Sequence, residues 1–74
     1  MTKFHVEVYR TSEKGHQLIT TGRFSAEEAI HVLYVASHIY QCVDGHSILI
    51  VNQTDKSTHV FVREDGEWNL QTRY

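Results

Sequence analysis

Residues 25–43 are the one segment of this chain with the pattern of an α-helix, and strand-like patterns flank it on both sides. It opens with SAEE at residues 25–28, where a serine can accept a backbone hydrogen bond and a glutamate three residues later can reach back to it. This capping box predicts a helix that begins after Ser25 and ends at about Gln41 or Cys42, before Gly45. A chain with a single helix must build most of its fold from a sheet.

The predicted helix has an apolar side, which we assign to the core, and a far side that meets solvent or a partner. At 100° per residue the apolar side is formed by Ala26, Ala29, Val32, Leu33, Ala36, Ile39, Tyr40 and Val43. The far side carries a stripe formed by Glu27, His31, Tyr34 and His38, which Ile30 and Val35 flank. Because these flanking residues and Tyr34 are apolar for an outer face, the stripe is a candidate surface for a partner.

Five segments have the composition and spacing of β-strands. They are Lys3–Arg10, His16–Arg23, His46–Asn52, Thr58–Arg63 and Glu67–Arg73. The second is polar and contains Gly22, which indicates an edge or a bulge, whereas the third is apolar throughout and predicts a central strand. The order ββαβββ predicts a single α+β domain over residues 1–74, with a five-stranded antiparallel sheet and one helix packed on one face.

The sequence leaves two registers open for the last hairpin. A two-residue Asp65-Gly66 turn would pair Arg63 with Trp68. A three-residue turn with Gly66 in the left-handed conformation would bring the two valines of the fourth strand to one face with the apolar residues of the fifth. We predict this second register, because it gathers the apolar residues on one side. Besides the helix side, the predicted core then contains Phe4, Val6, Val8, Leu18, Ile48, Ile50, Val60, Val62, Trp68 and Leu70.

One helix covers one face of a sheet, so the second face must meet water or a partner. In these registers that face carries His5, Glu7, Tyr9, Leu49, Val51, His59, Phe61, Arg63, Asn69, Gln71 and Arg73. Leu49, Val51 and Phe61 could join into an apolar patch, which a soluble monomer rarely leaves bare. A chain of 74 residues has little core of its own and gains stability by sharing a face.

These patterns predict a non-catalytic protein–protein interaction module of adaptor or inhibitor type, which is compatible with a homodimer. Tyrosine and arginine are favoured at the centres of protein interfaces. The residues expected to bind a partner are Tyr9, Phe61, Arg63, Arg73, Leu49 and Val51 on the sheet, and Tyr34 and His38 on the helix.

Single-stranded nucleic acid is the alternative ligand for the same face. Tyr9 and Phe61 could stack on bases while Arg63, Arg73 and Lys3 contact phosphates. The charge argues against it, because seven Lys and Arg oppose nine Asp and Glu for a net charge of −2, with no basic cluster. A protein partner is therefore the stronger expectation.

The histidines and the single cysteine are the remaining candidates for chemistry. His38, Cys42 and His46 are spaced four residues apart and could approach a metal ion together, with Asp44 or a partner as fourth ligand. The two close ligand pairs typical of structural zinc sites are missing from the sequence, so we expect no metal and no cofactor. No residue is marked to orient a Cys–His pair and no glycine-rich phosphate loop is present, so we expect no enzyme.

The compartment is inferred from two features. One cysteine allows no internal disulfide, which small secreted domains usually need, and no apolar run approaches the ~20 residues of a membrane span. We therefore expect a cytoplasmic protein that is not inserted in a membrane.

Overall fold

The computed structural model describes residues 1–73 and places them in one antiparallel sheet with one helix. The elements are β1 (Thr2–Ser12), β2 (Gly15–Ala26), α1 (Ala29–Ile39), β3 (His46–Asn52), β4 (Thr58–Glu64) and β5 (Glu67–Arg73). The sheet has the strand order β2-β1-β3-β4-β5. The predicted α+β class and ββαβββ order are confirmed, with β2 at an edge and β3 in the centre.

The helix begins later and ends earlier than the capping box predicts. Ser25 belongs to β2 and pairs with Lys3 of β1, so its side chain is not at a helix terminus. Glu28 is the N-cap residue instead, and it makes no side-chain cap hydrogen bond. The continuing β1–β2 ladder outweighs a local cap that is worth about 1 kcal/mol. At the other end the helix stops at Ile39, and Gln41, two residues later, adopts a positive φ of 51° that does not continue a helix.

The core lies between α1 and the side of the sheet that it covers. Its buried apolar residues are Phe4, Val6, Val8, Val32, Leu33, Ala36, Cys42, Ile48, Ile50 and Phe61. Four residues predicted to be in the core, Leu18, Ile39, Val43 and Leu70, are between 49% and 58% exposed. The core prediction is wrong for Val43 because the helix stops before this residue. It is wrong for Ile39 because this side chain points away from the sheet.

The last hairpin has the two-residue turn, so the predicted three-residue register is wrong. Glu64 pairs with Glu67 and Arg63 pairs with Trp68. Asp65 and Gly66 have φ values of 51° and 77°, and a two-residue type I′ turn requires positive φ at both positions. Aspartate tolerates this conformation better than most residues do, and glycine adopts it freely.

Candidate protein-binding site

The face of the sheet opposite α1 is called here the uncovered face. Residues directly opposite each other in an antiparallel ladder point to the same side of the sheet. The buried residues of β1 point toward α1, so the pairs across each ladder show on which side every other residue lies. From the described ladders, the uncovered face includes Lys3, His5, Glu7, Tyr9 and Thr11 of β1, His16, Leu18, Thr21, Arg23 and Ser25 of β2, Ser47, Leu49 and Val51 of β3, Thr58, Val60, Val62 and Glu64 of β4, and Glu67 and Asn69 of β5.

Phe61 does not lie on the uncovered face, contrary to the prediction. It pairs with fully buried Ile48 and is itself 8% exposed. His59 pairs with buried Ile50 on the same covered side, and its ring stacks on Phe61 with centroids 6.2 Å apart. Strand alternation alone assigned the residues of β4 to the wrong sides of the sheet. Both faces of β4 carry apolar residues, so only the pairing with β3 shows which face is covered.

Arg63 also lies on the covered side and has a structural partner. Its Nε lies 3.2 Å from Oδ1 of Asp44, and the same oxygen accepts a hydrogen bond from the Gly66 backbone N–H at 3.0 Å. Asp44 thus ties the β4–β5 turn to the loop between α1 and β3. Arg73 pairs with His59 through its backbone, and its side chain lies outside the described part of the structure.

Leu49 and Val51 lie on the uncovered face as predicted. Leu49 stands directly opposite Val60, a residue that the sequence patterns assigned to the core. A shallow depression of about 230 Å³ lies here, and its surface is almost entirely apolar. It is lined by Leu49 and Val60 together with Tyr9, His16 and Ser47. The apolar patch expected from the sequence therefore exists, with Val60 in the place given to Phe61.

A network of three side chains fixes one wall of this depression. The Tyr9 hydroxyl donates a hydrogen bond to Oε1 of Glu7, and His5 Nε2 lies 3.0 Å from Oε2 of the same carboxylate. The Tyr9 hydroxyl, followed by His5, holds the pKa of Glu7 below its ordinary value, and the Glu7 carboxylate raises the pKa of Tyr9. The spacing i, i+2, i+4 on one strand could have revealed this network, since it places all three on one face.

Tyr34 and His38 are exposed on the outer side of α1, as predicted, and lie on the side of the molecule away from the depression. The sheet also separates Tyr9 from Phe61, so the two aromatic rings expected to stack on nucleic-acid bases do not share a face. Of the sheet residues expected to bind a partner, the uncovered face brings together Tyr9, Leu49 and Val51.

His46 and Cys42 are both buried. His46 Nδ1 accepts a hydrogen bond from the Val43 backbone N–H at 3.1 Å. Burial, followed by the charge of Arg10, lowers the pKa of His46. Burial raises the pKa of the Cys42 thiol, which opposes formation of the thiolate that nucleophilic and metal-binding cysteines need. Within residues 1–73 no group of three His, Cys, Asp or Glu side chains could hold a metal ion.

Comparison with known proteins gives no match to a family model, a curated protein or a solved structure. None of the helices in the described part of the chain has the length and apolar character to cross a membrane.

Proposed function

We propose that this protein is a non-catalytic protein–protein interaction module that binds its partner through the uncovered face. The observation that supports this is the apolar depression between Tyr9, Leu49 and Val60. A partner would insert an apolar or aromatic side chain there, in the manner of the anchor residues that dominate protein interfaces. The cytoplasm is the proposed compartment, because the one cysteine is a free thiol.

The depression lies within a wider apolar surface. Leu49 and Val51 of β3 lie on the same face as Val60 and Val62 of the neighbouring strand β4. Leu49 is directly opposite Val60 in the β3–β4 ladder. Aliphatic residues on neighbouring strands form a continuous patch, and such patches on small proteins commonly mark interaction sites. Polar groups of Glu7, His5 and Arg23 border the patch on its β1–β2 side, as polar residues border the apolar centre of protein interfaces.

Tyr9 supplies a rigid contact at the edge of the depression. A free tyrosine loses rotational freedom when it is trapped in an interface, and this loss weakens binding. In this protein the hydrogen bond to Glu7 already restrains the ring, and His5 restrains Glu7 in turn. The network therefore prepares the site for binding before the partner arrives.

Site-specific photo-crosslinking tests the proposal. A photoreactive amino acid at position 60 should trap a protein partner in cells that express the protein, and the same amino acid at position 43 is the control. Val43 is 58% exposed and lies in the loop after α1, away from the uncovered face. Trapping of one partner at position 60 but not at 43 supports the proposal; equal trapping at both positions, or trapping at 43 alone, contradicts it.

A further inference from the structure

One long edge of the sheet carries almost no charge. Strand β2 forms this edge, and its sequence GHQLITTGRFSA contains one formally charged residue, Arg23, and no proline. Natural proteins usually protect an exposed edge with several charges, with proline or by keeping the strand very short, because an open edge can pair with another chain. β2 is 12 residues long and lacks these three protections, so its edge is open to an added strand.

The regular part of this edge is the segment 20–26. The β1–β2 ladder shifts register between Val8 and Tyr9, and Ile19 is the residue of β2 that the shift leaves without a partner. From residue 20 to residue 26 the pairing with β1 continues without a shift. A regular segment of this length can pair with a strand of ordinary length.

The hydrogen bonds of β1 show which backbone groups of β2 face outward. The Lys3 carbonyl accepts a hydrogen bond from the Gln53 backbone N–H at 2.9 Å, so the backbone groups of Lys3 point to the β3 side and away from β2. Such residues alternate along an antiparallel strand, so Lys3, His5 and Glu7 form pairs with β2 that exchange no hydrogen bonds. Their partners on β2 are Ser25, Arg23 and Thr21. The N–H and C=O groups of these three partners therefore face the open edge.

This outward row of backbone groups is almost unused within the protein. The Thr20 hydroxyl donates a long hydrogen bond of 3.4 Å to the Thr21 carbonyl, and no other hydrogen bond reaches the row from the described residues. Groups that face outward at every second residue match the hydrogen-bonding groups of an incoming antiparallel strand. The edge can therefore accept a strand without a change in the fold.

Two cations lie beside this edge on the uncovered face. Neither Lys3 nor Arg23 forms an ion pair within the described residues. Together with Ser25 and Gln53 they line a shallow groove of about 310 Å³, and among the described residues that line it none is acidic. Opposite charges on neighbouring strands stabilise a sheet. An incoming strand is therefore favoured when it places acidic side chains on this face.

The other side of the same edge is apolar. Phe24 pairs with buried Phe4 and points to the side of the sheet that α1 covers. It is half-buried, and its ring meets the Tyr40 ring edge-on with centroids 6.1 Å apart. Apolar side chains of an incoming strand can extend this packing. The two sides of the edge thus favour a strand in which acidic and apolar residues alternate.

We propose that β2 binds an extended acidic segment of a protein partner, which joins the sheet as a sixth strand. The acidic residues of this segment lie beside Arg23 and Lys3, and its apolar residues lie beside Phe24. A second copy of β2 is a poor occupant, because it brings another Arg23 and no carboxylate to the pair. The edge is a separate surface from the apolar depression, so this proposal does not depend on the proposed function.

Titration with model peptides tests the chemistry of the partner. The probe is a seven-residue peptide of alternating glutamate and valine with blocked ends, and the control peptide has lysine in place of glutamate. The glutamate peptide should bind with a Kd below about 1 mM, and the lysine peptide should bind at least tenfold more weakly. Methylation of the backbone nitrogen of each glutamate removes hydrogen bonds to β2 and should abolish binding. Failure of the glutamate peptide to bind, equal binding of the lysine peptide, or undiminished binding of the methylated peptide would overturn the proposal.

Exchange of amide protons with water, measured by NMR, tests the position of the bound strand. The outward amides of Thr21, Arg23 and Ser25 should exchange rapidly in the free protein and at least tenfold more slowly with the glutamate peptide bound. The amides of Gly22 and Phe24 face β1 and are the internal control, with no rapid exchange in either state. Binding that leaves the three outward amides in rapid exchange would contradict strand addition at this edge.

A matched pair of charge reversals tests the role of Arg23. Arg23→Glu should weaken binding of the glutamate peptide at least tenfold. Lys14→Glu produces the same net charge in the exposed turn between β1 and β2, and this variant should bind like the wild type. Equal losses in the two variants would show that net charge, and not the β2 edge, controls binding.

Discussion

Ile48 and Phe61 stand directly opposite each other in the β3–β4 ladder, and both side chains are buried on the helix-covered side of the sheet. The neighbouring pair, Leu49 and Val60, points the other way and forms the floor of the depression on the uncovered face. One register therefore decides which residues stabilise the fold and which are available to a partner.

Phe61→Ala should destabilise the protein much more than Val60→Ala. Removal of a buried phenylalanine side chain leaves a cavity and costs about 3 kcal/mol, whereas truncation of a partly exposed valine costs about 1 kcal/mol or less. Urea unfolding followed by far-UV circular dichroism measures both values. Equal losses, or a larger loss for Val60→Ala, would mean that Phe61 is not on the covered side.

Gly22→Ala should destabilise the protein through a steric clash with Tyr40. A Cβ atom at position 22 would overlap the Tyr40 hydroxyl, and the Tyr40 ring is held edge-on against Phe24 with centroids 6.1 Å apart. Overpacking of this kind costs about 1–3 kcal/mol. Tyr40→Phe removes the clashing oxygen, so the double variant should be more stable than the sum of the single losses predicts. Strict additivity in this double-mutant cycle would count against the contact.

The stability of the protein should fall between pH 7.5 and pH 5.5 because of His46. Burial lowers the pKa of His46 in the folded protein. The unfolded chain takes up a proton near the ordinary value of about 6.5, while the folded chain resists it, so the free energy of unfolding decreases as the pH drops below that value and until the folded pKa is reached.

His46→Asn isolates this effect. Its side-chain oxygen can still accept the hydrogen bond from the Val43 backbone N–H, but the residue no longer titrates. The variant should lose less stability than the wild type over the same pH interval, as measured by urea unfolding at each pH. An identical pH dependence would show that His46 is not the group responsible.

Glu7→Gln should lower the pKa of Tyr9. The Glu7 carboxylate raises that pKa, chiefly through its hydrogen bond with the tyrosine hydroxyl, so removal of its charge should bring Tyr9 closer to the ordinary value of about 10. The Cζ resonance of selectively labelled tyrosine, followed by NMR against pH, reports this directly. An unaltered Tyr9 titration would contradict the network.

The sequence predicts the order of the helix and strands better than it predicts which residues lie on which face of the sheet. The order ββαβββ follows from the strand and helix patterns of the separate segments, whereas the order of the strands within the sheet was open apart from the expected central position of β3. The capping box at Ser25 failed because β1 extends far enough to hold Ser25 in a ladder. A capping-box pattern depends only on neighbouring residues, so it contains no information about a strand from elsewhere in the chain that pairs with the same segment.

The candidate site was only partly predictable for the same reason. Tyr9, Leu49 and Val51 follow from patterns within single strands, and they lie where expected. Phe61, Arg63 and Val60 depend on how β4 pairs with β3, and β4 is apolar on both faces. Arg63, which looked like an interface residue, is instead paired with Asp44 from a loop that no spacing in the sequence connects to it.

The affinity of the partner trapped at position 60 for the Val60→Asp variant tests the central claim most directly. A buried charge in the depression should weaken binding at least tenfold, about 1.4 kcal/mol, relative to both the wild type and Val43→Asp. Titration calorimetry with purified proteins gives all three dissociation constants. Unchanged binding by Val60→Asp, in a variant that unfolds cooperatively like the wild type, would show that the uncovered face is not the binding surface.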